Sequence, residues 1–138
     1  MAHTPFPVEV LTPEGEVYSG EVEMVSTRTA LGEIGILAGH EPLLGALEPT
    51  ELRLYATESE IKRYAQSEGY IQVGGGKVML LVQEILASDE LDAADLRVKL
   101  DAAERALEAA GQDGEARRVA LRDQKRWAAF LKIAEQRR

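Results

Sequence analysis

The stretch 78-VMLLVQEILASDELD-92 marks the place where the chain changes its period. Upstream of it, apolar and polar residues alternate. Phe6, Val8 and Val10 alternate with Pro7 and Glu9, Val22 and Met24 with Glu21 and Glu23, Leu52 and Leu54 flank Arg53, and Ile71 and Val73 flank Gln72. A period of two is that of a strand with one covered face. Turn-forming residues at 13-PEG-15, Gly20, Gly32, Gly39, 49-PT-50 and 74-GGG-76 separate these runs, at the spacing of an all-β sandwich or barrel. The run 78-VMLLV-82 is apolar throughout and predicts a strand covered on both faces, with the second cover coming from the sandwich interior or an attached element.

Downstream of residue 88, alanine, leucine, glutamate and arginine take over and proline disappears. Asp92 followed by Asp95 is an N-cap with an acid in the first turn, where unpaired amides and the helix dipole favour carboxylates. A helix over about 93–110 is predicted, with an apolar stripe of Leu96, Leu100, Ala103 and Leu107. Gly111 ends it and 111-GQDG-114 makes a short turn into a second helix from about 115. That helix carries Ala116, Val119, Ala120, Trp127, Phe130, Leu131 and Ala134 on its less charged side. The fold class is therefore α+β: an N-terminal antiparallel β-sandwich over 1–87, then a C-terminal antiparallel two-helix hairpin over 88–138. An alanine-rich seam buries little area, so the hairpin is compatible with a permanently docked appendage or with a two-state element.

The charge is distributed unevenly. The 138 residues carry a net charge of −8, yet residues 115–138 hold eight basic side chains (Arg117, Arg118, Arg122, Lys125, Arg126, Lys132, Arg137, Arg138) against Glu115, Asp123 and Glu135. That is +5 locally, and −8 − 5 = −13 for residues 1–114. An acidic body with a basic tail points to an interaction tail and away from nonspecific nucleic-acid binding, which needs a basic surface.

Little in the sequence points to chemistry. There is no cysteine, which excludes disulfides, thiolate metal sites and cysteine nucleophiles. No metal site is expected from His3 and His40, which lie 37 positions apart. Glu33 and Glu41 around His40 have the residue types of an acid–base site but no serine or threonine nucleophile beside them. The 74-GGGK-77 segment lacks the long glycine frame and following helix of a phosphate loop, and reads as a tight β-turn. Trp127 and Phe130 read as seam residues. The N-terminus lacks the basic region and apolar run of a secretory signal, and no segment approaches the roughly 20 apolar residues of a membrane helix, so a soluble chain is expected.

The order of sandwich and hairpin, with 10-VLTPEGEVYSGEVEMV-25, 32-GEIGILAGHEPLLGAL-47 and 78-VMLLVQEILASDELD-92, resembles the epsilon subunit of the bacterial and chloroplast F-type ATP synthase over essentially the whole chain. The middle segment is the most specific. Two departures stand out: Ala38 where the family usually has proline or a similar turn-former, and Glu68 before Gly69 where a glycine pair is usual.

The resemblance implies a non-catalytic subunit at the foot of the rotating stalk, bound to the gamma subunit and the membrane rotor ring (c subunits). It also implies hairpin contacts with the catalytic alpha and beta subunits that restrain ATP hydrolysis. Such a subunit is peripheral, on the cytoplasmic face of the bacterial membrane, within a proton-driven complex. The resemblance makes Glu33, His40 and Glu41, read as one polar loop, candidates for the ring interface, with a hydrogen-bonded loop anchor as the alternative for His40. It makes Arg117, Arg118, Arg122, Lys125 and Arg126 candidates for acidic partners in the catalytic hexamer. Some members bind ATP on the hairpin through Ile or Leu, Asp, two residues, Arg and Ala. Here Leu91 and Asp92 are followed by Asp95 in the arginine's place, so no cofactor is expected. A free-standing sandwich module with a helical oligomerisation tail is the alternative reading.

Overall fold

The computed structural model describes residues 3–137; Arg138 of the basic tail lies outside them. The chain divides into two compact units, one ending at Leu86 and one beginning at Ala87.

The first unit is built from β1 (Phe6–Thr12), β2 (Gly15–Val22), β3 (Met24–Thr29), β4 (Gly32–Ile36), β5 (Leu43–Leu47), β6 (Thr50–Tyr55), β7 (Ile61–Gln66), β8 (Gly69–Gly74), β9 (Lys77–Val82) and the short β10 (Ile85–Ala87), which reaches the boundary. Pairing runs β10-β7-β6-β3-β5-β8-β9-β1-β2, with β4 attached to β3. The sheet bends at β3, which pairs with β6 over Met24–Ser26 but meets β5 only at Thr29. Val8, Val10, Val25, Leu52, Leu54, Ile71 and Leu80 from both halves then share one fully buried core. The sandwich is not purely antiparallel, because β1 lies parallel to β9, with Val8 opposite Val78.

Two sequence readings change here. Met24 does not continue the alternation of Val22; the chain bends at Glu23, whose amide donates to Tyr55 O (2.7 Å), and Val25 becomes the buried residue. Gly20 is not a turn but a strand residue opposite Val8, lying under the Tyr18 ring. By contrast, Gly75 (φ 60°) and Gly76 (φ 76°) do form the tight turn between the paired Gly74 and Lys77, the left-handed geometry of a two-residue hairpin loop.

A polar knot crosses the core. Thr27 Oγ1 donates to Gln66 Oε1 (2.8 Å) and Gln66 Nε2 donates to Glu48 O (3.0 Å), so the fully buried Gln66 is satisfied at both ends of its amide.

The second unit holds a single 3-10 turn (Ser88–Glu90), α1 (Ala93–Ala110) and α2 (Gly114–Gln136). Asp92 Oδ1 accepts from the amides of Ala94 (3.0 Å) and Asp95 (3.3 Å), and Gly111 (φ 54°) closes α1. Asp113 caps α2 in the same way, accepting from the Ala116 amide at 3.0 Å. Of the expected α1 stripe, Leu96 and Ala103 are buried and Leu100 and Leu107 half-buried. On α2, Ala120 and Phe130 are buried and Val119, Trp127, Leu131 and Ala134 half-buried, but Ala116, in the first turn beside the connection, is exposed. Ile133 and Arg126 are buried instead, because the covered arc of α2 is wider than its uncharged stripe.

Candidate partner-binding surfaces

Glu33 is the second residue of β4, directly across the ladder from Arg28, and the two form an exposed ion pair at 3.3 Å. His40 lies beyond the other end of that strand. Its amide donates to Leu37 O (3.2 Å) across the turn at Ala38 and Gly39, and its Nδ1 lies 2.7 Å from Glu41 O. The expected single polar loop is therefore corrected. From Glu33 to Ile36 the chain is extended strand, about 10 Å at about 3.3 Å per residue, which sets the acid and the histidine at opposite ends of β4. Gly32 and Gly35 are strand residues, and only Gly39 sits in a turn. His40 is held as a loop anchor by its backbone contacts. Glu33 instead borders a groove of about 350 Å³ flanked by two leucines, Leu31 (100% exposed) and Leu44 (75% exposed).

A second surface runs across the outside of the sheet. Ala46 of β5 faces Tyr70 of β8, Tyr70 faces Leu81 of β9, and Leu81 faces Leu11 of β1. Beside this row runs another, Leu44, Gln72, Met79 and Glu9. Tyr70 is 61% exposed and Leu81 46%, and the first row lines a groove of about 570 Å³ with Pro13 and Glu68 at its rim. The expectation that 78-VMLLV-82 is covered on both faces is thus overturned: Val78, Leu80 and Val82 are buried, while Leu81 stands outward. Contiguous outward apolar side chains on a sheet mark an interaction surface. Sequence reasoning missed Tyr70, Leu44 and Leu31; the one available signal was the apolar outer face of β9 itself.

The basic face of α2 is more engaged than its composition implied. Arg118 pairs with Glu115 through Nη2–Oε1 (2.5 Å) and Nε–Oε2 (3.3 Å). The hydrogen bond to Arg118 and its positive charge hold the Glu115 carboxyl below its usual range, and the same hydrogen bond with the Glu115 charge raises the Arg118 guanidinium above its own. Arg122 pairs with Asp123 at 3.0 Å, and Arg117 and Lys125 are exposed. Arg126 differs from the other candidate cations: it is 9% exposed, with its guanidinium carbon 5.5 Å from the Trp127 ring centroid. Asp95 is exposed and pairs with Lys99 at 3.3 Å. Among the described residues no cluster of three or more histidine or acidic side chains could hold a metal ion.

The beta-sandwich domain of the ATP synthase delta/epsilon chain family matches residues 5–88. The ATP synthase epsilon chain of Persephonella marina is 45% identical over 103 residues, covering 75% of this chain and 76% of that one. The chain belongs to the ATP synthase epsilon-chain family. A second member, the ATP synthase epsilon chain of a Sulfurihydrogenibium species, is 34% identical over 127 residues, 92% of this chain and 95% of its own. The likeness to epsilon chains thus extends past the sandwich into the helices. The same fold occurs in a chain of the Euglena gracilis mitochondrial ATP synthase, resolved with OSCP, F1 and c-ring (TM-score 0.78, 22% identity, 91% of this chain and 79% of that one). It occurs again in the central stalk and c-ring structure of the Tetrahymena thermophila mitochondrial ATP synthase (TM-score 0.65, 16% identity, 96% and 98% covered).

Proposed function

We propose that the chain is a non-catalytic subunit of the central stalk of a proton-translocating F-type ATP synthase, coupling the membrane rotor ring to the gamma shaft. The observation that carries this reading is the outward row Ala46–Tyr70–Leu81–Leu11 in a chain of the epsilon family. A rotor component transmits torque through broad contact, and an apolar sheet face offers the buried area that such a contact needs. The row receives gamma. Leu31, Leu44 and Glu33, around the adjoining groove at the β3–β4 turn, which shares Ala46 with the row, face the ring, while His40 and Glu41 shape the far loop. No helix among the described residues is long and apolar enough to cross a membrane, which agrees with attachment to its cytoplasmic face through the other subunits.

Tagged chain should bring down gamma with the catalytic alpha and beta subunits, and membrane vesicles lacking the chain should hydrolyse ATP without pumping protons. Purification of the chain alone or as a homo-oligomer would favour the free-standing sandwich module instead.

The hairpin, in the same reading, restrains ATP hydrolysis by presenting exposed cations of α2 to carboxylates of the catalytic subunits. Arg118, Arg122 and Lys125 are the residues to neutralise, because removing Arg126 would also disturb Trp127. Their joint change to alanine is expected to raise ATP hydrolysis by the assembled enzyme severalfold, and an unchanged rate would remove this face from the inhibitory contact.

ATP itself finds a carboxylate, Asp95, where epsilon chains that bind it carry arginine, and like charge repels the phosphates. Calorimetric titration of the isolated chain is expected to show no binding at sub-millimolar ATP, and micromolar affinity would contradict this.

A further inference from the structure

Among the described residues of the sandwich, the buried polar side chains are Thr27, Thr29, Gln66 and Ser67, and they gather at one joint. There the arm formed by β3 and β4, which carries Leu31 and Glu33, meets the strands of the outward row. The ladder is thin at that place. β3 pairs with β5 only where Thr29 lies opposite Leu47, flanked by bonds from the Ala30 amide to Ala46 O (2.9 Å) and from the Glu48 amide to Arg28 O (3.0 Å). Side chains supply what the ladder lacks. Thr29 Oγ1 donates to Gly32 O and accepts from the Leu31 amide, both at 3.2 Å, which fixes the turn at the tip of the arm. Two residues back along β3, the Thr27 hydroxyl donates to the Gln66 side-chain oxygen, while the Gln66 side-chain nitrogen donates to Glu48 O. Glu48 is thereby held at both of its backbone groups. Ser67 carries the line onward: its amide donates to Glu84 O (2.9 Å) and its Oγ accepts from the Glu84 amide (2.8 Å), beside the corner that leads into Tyr70.

We propose that Gln66 is a positioning residue for torque: its amide braces the β3–β4 arm against the strands of the outward row, so that load applied at one surface reaches the other without shear at the joint. Stability alone does not call for an amide here, because an apolar pair of the same shape in place of Thr27 and Gln66 would be close to neutral. Apolar burial is non-directional, so it opposes separation of the strands more than their sliding. A hydrogen bond weakens steeply off its axis, and a satisfied buried network rigidifies the elements it joins. The torque role rests on the stalk-subunit reading above, in which the arm meets the ring and the row meets gamma; the brace itself does not.

In the isolated full-length chain, Thr27→Val with Gln66→Met is expected to make the amides of Ala30 and Glu48 exchange about tenfold faster while those of β8 and β9 keep their wild-type protection. Gln66→Asn keeps an amide but is one carbon too short to hold both partners, and should loosen the same two amides. Unchanged exchange at Ala30 and Glu48 in both variants, or equal acceleration throughout the sandwich, overturns the brace. The torque role is read in membrane vesicles carrying the assembled enzyme. Both variants are expected to hydrolyse ATP and to pump as the wild type does at zero gradient, yet to sustain a lower limiting proton gradient, because shear at the joint grows with load. A merely architectural role would lower pumping equally at every load. Wild-type limiting gradients in both variants therefore overturn the part of Gln66 in torque. Pumping that does not depend on the wild-type chain at all would overturn the stalk-subunit reading and the torque role with it, while the exchange result still decides the brace.

Discussion

Replacing Gly69 by alanine is expected to destabilise the sandwich by about 3 kcal/mol or more and to lower its melting temperature by about 15 °C. A Cβ at this position would lie 2.0 Å from Leu81 O, 2.8 Å from Val82 Cα and 2.9 Å from Leu81 C. Every obstructing atom is backbone, so no rotamer change relieves the clash and the β8–β9 ladder, which begins at Gly69 opposite Val82, must separate. The corner is tied on both sides, since the Gln83 amide donates to Glu68 O (3.2 Å) and the Ser67 amide to Glu84 O (2.9 Å). Gly45→Ala is the matched control: its nearest neighbour would be Ile71 Cγ2 at 3.5 Å, an ordinary contact. Thermal melts of the two variants should differ sharply, and a Gly69→Ala protein melting with the wild type would refute the close approach. The same geometry accounts for Glu68 standing where the family usually has a second glycine. No described non-glycine residue has a positive φ, so position 68 does not require glycine, whereas position 69 does.

Tyr70→Ser together with Leu81→Glu is expected to weaken association with gamma about a hundredfold while leaving the fold intact. Both side chains point outward from adjacent strands at the centre of the apolar row, and a central aromatic anchor commonly accounts for 2 kcal/mol or more of binding on its own. A buried carboxylate at position 81 adds a desolvation cost that the partner cannot offset without a cation. Val98→Glu is the control, because Val98 is also exposed (67%) but belongs to α1 and not to the row. Gel-filtration or calorimetric binding to purified gamma decides the matter. Equal affinity of the double variant and wild type would remove this face from the shaft contact.

The readings that succeeded and those that failed differ in a physical way. Asp92, Gly111 and the 3.6-residue stripe act within a few residues of themselves, and α1 fell on Ala93–Ala110, the span expected. The strands β1, β6 and β8 follow their alternation for the same reason. What failed was inference about faces and neighbours. An apolar run such as 78-VMLLV-82 contains no information on whether its second face meets the interior or solvent, because that depends on which strands lie beside it. Glu33, His40 and Glu41 are close in sequence, yet one short strand carries the acid away from the histidine. Arg126 was counted with its solvated neighbours because charge alone does not reveal the arc of a helix that becomes covered.

By itself, then, the sequence determined the order of elements, the helix caps, the tight turn at Gly75 and Gly76, the sandwich followed by a hairpin, and the family, through spaced segments that extend along the whole chain. Tertiary structure decided the parallel pairing of β1 with β9, the outward row that this pairing completes from Ala46 to Leu11, and the meeting of Lys99 with Trp127. Local signals are set by backbone geometry over one or two turns. A binding face is set by side chains from strands tens of residues apart, and only the folded register brings them into line.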